Sequence, residues 1–99
     1  MVLPACSKSS TATRADSVVI LTIKDFAFSP KPVTVAAGTA LEVSNVDTTT
    51  HTVTADDKSF DTGHIAAGAR RKLTLRRQGT FGYHCDIHNY MTGVIQVHN

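Results

Sequence analysis

From Val18 onward the chain is divided into short runs rich in β-branched residues, each closed by Gly, Pro, Asn or Asp. No segment sustains a helical period between caps. Val18 to Lys24 is the first run; Pro30 and Pro32 break the next, and Val33 to Ala36 resumes it before a turn at Ala37-Gly38-Thr39. Leu41, Val43 and Asn45 alternate with Glu42 and Ser44, the mark of a half-buried strand. Thr52 to Ala55 reads as a short strand, Asp56 to Gly63 as a polar loop and Ala66-Ala67-Gly68 as a turn. Arg71 to Arg76 alternates with Leu73 and Leu75 inward, and Thr80 to Cys85 and Val94 to His98 complete the series. Strands at this spacing predict an all-β sandwich or barrel.

A chain of 99 residues with 41% hydrophobic content suits one domain, placed here at residues 18–99. Residues 1–17 are small, polar and aperiodic and read as a disordered leader or tether. Within it, Leu3-Pro4-Ala5-Cys6 resembles a bacterial lipoprotein cleavage motif, so Cys6 is a candidate for lipidation and membrane tethering. Met1 to Ala5 is too short for a charged n-region and an apolar h-region, which leaves that signal incomplete. A net charge of +2 argues against a nucleic-acid binder. No nucleophile elbow, Walker-type loop or His-x-His pair occurs, so the chain reads as a non-enzyme.

The chemistry concentrates in Cys85-Asp86-Ile87-His88-Asn89-Tyr90-Met91. A thiolate, an imidazole and a thioether in seven residues suit copper better than zinc, magnesium or calcium. A blue-copper centre needs a second imidazole, and His51 in a Thr-rich loop far upstream can supply it. A core thiol, a gap-filling Met and a solvated His are the duller readings of the same residues. A Cys6–Cys85 disulfide is the alternative use of the two cysteines, and it would remove the thiolate from this cluster. If Arg77-Gln78-Gly79-Thr80 turns a hairpin, Leu75 faces Gly82 and Lys72 faces Cys85. That register puts Arg70-Arg71-Lys72 at the metal end, where they could steer an acidic partner, and Arg76 and Arg77 at the other. Phe81, Tyr83 and Cys85 share the inward face. His64, His84 and His98 read as surface residues. Asp56, Asp57 and Asp61 lack calcium-loop spacing.

The runs Phe26-Ala27-Phe28-Ser29-Pro30, Val33 to Thr39, Asn45-Val46-Asp47 to His51-Thr52-Val53, and Gly79 to Cys85 resemble the cupredoxins over about residues 18–98. The short Cys-x2-His-x2-Met spacing is similar to amicyanin rather than plastocyanin. The resemblance implies a Greek-key cupredoxin-like sandwich with His51, Cys85, His88 and Met91 as ligands of one type 1 copper ion. It further implies a monomeric electron carrier of the bacterial periplasm or cell envelope, meeting its redox partner near His88. A copper chaperone or buffer is the alternative. Two positions depart from the family pattern. Thr52 stands where an Asn often ties the two ligand loops, and Asn89 where a Pro often follows the second His.

Overall fold

A computed structural model describes residues 18–99. The leader and Cys6 lie outside the described residues, and with them the lipidation reading. The described strands are β1 (Val19–Lys24), β2 (Ala27–Ser29), β3 (Val33–Ala36) and β4 (Ala40–Asn45), followed by β5 (Thr54–Ala55), β6 (Arg70–Thr74), β7 (Gly79–His84) and β8 (Thr92–His98). No helix occurs among the described residues. One sheet has the order β2-β1-β4-β6 and the other β3-β8-β7-β5. Both are mixed: β1–β4 and β3–β8 pair in parallel, and the remaining neighbours are antiparallel. The two sheets face one shared core and form a β-sandwich.

Period-two patterning explains the packing. Leu21 and Ile23 of β1 and Leu41 and Val43 of β4 are fully buried, as are Tyr83 of β7 and Ile95 of β8, with Val33 and Val35 of β3 nearly so. Each such aliphatic side chain contributes about 1.5–3 kcal/mol relative to exposure. Asn45 continues the inward face of β4, as its alternation predicts. Tyr83 pairs in register with Gly93. A Cβ at Gly93 would collide with the Tyr83 ring, so the glycine is what lets the tyrosine lie across β8.

The hairpin register inferred for Arg77 to Thr80 is wrong. β6 pairs with β4 and β7 with β8 and β5, so the chain crosses from one sheet to the other between Thr74 and Gly79. Leu73 and Leu75 alternate like a hairpin arm because they pack onto the shared core, which both sheets face. The polarity of the ends survives by another route. Arg70 pairs with Ser44 and the Arg71 guanidinium donates to His64 O at 3.3 Å, beside the His51 loop, while Arg76 lies near Gly38.

Candidate metal centre

One end of the sandwich gathers the segment between β7 and β8 and the loop between β4 and β5. Cys85 extends the inward face of β7 and is fully buried. His84 points the other way, and its Nδ1 meets Asp56 Oδ1 at 2.7 Å. Cys85 N–H donates to Met91 O at 3.0 Å and Met91 N–H donates to His88 O at 2.9 Å. Those two bonds curl the Cys-x2-His-x2-Met run into a closed loop and leave Met91 buried. Across from it, His51 and Ile65 exchange two backbone hydrogen bonds, of 3.1 and 2.8 Å, and His51 is fully buried.

These constraints bring His51, Cys85 and His88 together. Each imidazole presents Nδ1 at 3.7 Å from Cys85 Sγ, and the three donor atoms lie within 4.8 Å of one another. Cys85 is a free thiol, so it is not consumed by a disulfide. His88 is the half-buried member of the group. His64 is exposed, and His98 lies at the end of β8 with its ring against Asn99 O. Neither joins the group, and nor does His84.

The surrounding hydrogen bonds prepare these atoms for a cation. His51 Nε2 meets Asp47 Oδ2 at 2.8 Å, which leaves Nδ1 as the free donor in the neutral ring. Asp47 also accepts the Asp25 and Phe26 N–H groups at 2.7 and 3.0 Å. Burial pushes the Asp47 carboxyl up. The Phe26 amide, the His51 ring and the Asp25 amide outweigh that and hold it below the ordinary Asp value. Thr52 N–H donates to Cys85 Sγ at 3.4 Å and holds the sulfur in place.

The Thr52 hydroxyl accepts from Asp86 N–H at 2.7 Å, tying the His51 loop to the Cys85 loop. Threonine therefore makes the link that an asparagine often makes at this position. Asn45, fully buried, braces the same loop. Its Nδ2 donates to Thr49 O and Ile65 O, both at 2.9 Å, and its Oδ1 accepts from Asp47 N–H at 3.0 Å.

Sequence reasoning named the donors but gave no role to Asp47 or Phe26. Asp47 carried a readable signal, a carboxylate four residues before the candidate histidine. Phe26 carried none, because its contact with the site depends on the turn between β1 and β2. The Phe26 ring stands edge-on to His51 and His88, at centroid distances of 5.2 and 5.1 Å.

Two imidazoles, a buried thiol and a buried thioether form a group consistent with one type 1 copper site. Zinc would accept the first three donors, but thiolate with thioether favours the softer metal.

Comparison with known structures places this geometry in context. The chain is similar to a purple cupredoxin from Nitrosopumilus maritimus, with a TM-score of 0.74 and 19% identity over 80% of this chain and 98% of that one. A mutant amicyanin in its oxidised state gives 0.75 and 22% over 87% of each chain. A Cu-containing nitrite reductase from Thermus scotoductus SA-01 gives 0.77 and 27% over 84% of this chain but only 23% of its own length. No curated protein sequence matches the chain. A family model described as a cupredoxin-like domain matches residues 1–97, and the chain belongs to the cupredoxin-like family.

Proposed function

We propose that the chain is a small electron carrier whose single copper ion is held by His51, Cys85, His88 and Met91. The observation that carries this reading is the convergence of two imidazole Nδ1 atoms on one buried sulfur, at 3.7 Å each. Copper bound there would supply reversible one-electron chemistry between Cu(I) and Cu(II).

The protein's own residues do the rest. Asp47 fixes the His51 ring and its tautomer, the Thr52 amide stabilises the sulfur, and the Thr52 hydroxyl holds the two loops at one separation. Donors fixed by the fold rather than by the ion move little when its charge changes, which lowers the cost of electron transfer. His88 is the donor nearest solvent. Ile87 and Tyr90, 43% and 68% exposed, flank it with apolar surface suited to a brief encounter with a redox partner. A monomer exported to the bacterial envelope, without enzymatic activity of its own, completes the reading. No helix among the described residues is long and apolar enough to cross a membrane.

Adding Cu(II) to the purified protein is expected to give an intense visible thiolate-to-copper band and a type 1 EPR signal, both lost in Cys85→Ser. A colourless product would sink the proposal. A copper chaperone remains the second reading, because Cu(I) delivery would use the same donors. Rapid transfer of Cu(I) to an acceptor protein, with slow redox cycling, would favour it.

A further inference from the structure

Asp25 and Phe26 form the two-residue turn between β1 and β2, with Lys24 paired to Ala27. Both have left-handed backbones, with φ of 53° and 58°. A turn with two consecutive positive φ values ordinarily takes Asn-Gly, Asp-Gly or Gly-Gly. A phenylalanine at the second position is costly, and such cost is kept where the surroundings over-determine it. Here the surroundings are the metal centre. The Asp47 carboxylate takes the N–H of both strained residues and meets His51 Nε2 as well. One anion thereby couples the turn to a donor ring. The turn in turn sets the Phe26 ring edge-on against both imidazoles. His88, with Tyr90 at 6.2 Å on a further side, is boxed between two aromatic rings and His51.

We propose that Phe26 is a retaining lid on the metal centre, and that Asp47 positions it. His51 is buried and its ring is held by Asp47, whereas His88 is half-buried, so His88 is the donor free to swing outward. The phenyl ring stands against His88 and must move before that ring can swing away from the sulfur and open the centre to a competing ligand. Phe26 is itself 42% exposed, so the core does not need it for burial. This inference rests on the copper reading and deepens it: a lid retains metal, as a carrier requires and a delivery protein does not.

Phe26→Gly provides the test, because glycine removes the ring while relieving the left-handed backbone. The copper-free variant is expected to be at least as stable as the wild type toward urea. The reduced, copper-loaded variant is expected to lose Cu(I) to excess bicinchoninate at least tenfold faster. A destabilised core would move the two measurements in the same direction, whereas a lid moves them apart. Phe26→Leu, which keeps apolar bulk, should recover most of the retention. Asp47→Asn should also quicken release, because it frees both the turn that carries Phe26 and the His51 ring. Release from Phe26→Gly within twofold of the wild type would overturn the proposal and leave the ring as docking surface only. The copper-free protein gives a separate reading through NMR relaxation of the His88 ring, which should become more mobile in Phe26→Gly. An unchanged ring overturns the lid. A wild-type chain that fails to bind copper, with the ring effect present, overturns the copper reading instead.

Discussion

Replacing Thr52 by Val isolates the tie between the two donor loops. Thr52 is 2% exposed, and its hydroxyl accepts from Asp86 N–H at 2.7 Å and meets Thr54 Oγ1 at 2.9 Å. Valine matches threonine in shape, so no cavity opens. The Thr52 amide stays on Cys85 Sγ, and Thr54 keeps Asp61 Oδ1 at 3.1 Å. What is lost is the contact to Thr54 and, more costly, the acceptor for Asp86: an amide left without one at a partly buried position costs about 1–2 kcal/mol. In a domain of this size each kcal/mol lowers Tm by roughly 4–8 °C. Urea unfolding of the copper-free protein should show a lower midpoint at unchanged m-value, and hydrogen exchange should show the Asp86 amide losing protection before the strands do. A midpoint equal to the wild type's, with Asp86 still protected, would show that the loops are joined by something other than this hydroxyl.

Further outcomes follow from the core and from the ion. The Tyr83 hydroxyl is buried and has no hydrogen-bond partner among the described residues, so Tyr83→Phe is expected to stabilise the copper-free protein by about 1 kcal/mol, measured by thermal melting; a lower Tm would reveal a partner for the hydroxyl. Burial also raises the Tyr83 pKa above its unfolded value. Its contribution is therefore whole below pH ~10 and is lost as pH rises beyond that, so alkaline titration should destabilise the wild type more than Tyr83→Phe. Gly93→Ala sets a methyl against the Tyr83 ring and should cost about 1–3 kcal/mol, an effect that Tyr83→Leu relieves; additive losses in the double variant would refute the contact. Copper at a hundredfold excess over its Kd should raise stability by about 2.7 kcal/mol, and Cys85→Ser should lose most of that gain in calorimetry.

The fold was legible wherever alternation or a turn residue marked it. Leu41, Val43 and Asn45 face inward as their spacing implies, and so do Tyr83 on β7 and Cys85 just beyond its end. The candidate donors stand out in the sequence because Cys85, His88 and Met91 share one loop, whose closure needs only local backbone bonds. Pairing partners were not legible. Leu73 and Leu75 alternate in the same way whether the chain turns back on itself or crosses to the opposite sheet. The supporting residues around the site were hidden for a related reason. Phe26 reaches the imidazoles only through a turn whose backbone a phenylalanine does not advertise, and the Thr52 tie spans two loops far apart in sequence.

The sheet order has a bearing on solubility. Among the described residues four strands stand at sheet margins, and a margin with unpaired backbone groups invites another chain's strand. Two of them, β2 and β5, are three and two residues long, too short to template growth. A third, β3, follows Pro30 and Pro32, which cannot donate to a new ladder. The fourth, β6, is the longest of them and carries Arg70, Arg71 and Lys72, all exposed, so two copies would meet with like charges along their length. Replacing these three by threonine should produce concentration-dependent self-association in sedimentation experiments, and a variant that stays monomeric would show that the charges do not guard the edge. Protected flanks would keep crowded copies from zipping together and leave the aromatic end around His88 as the surface proposed for encounters with a partner.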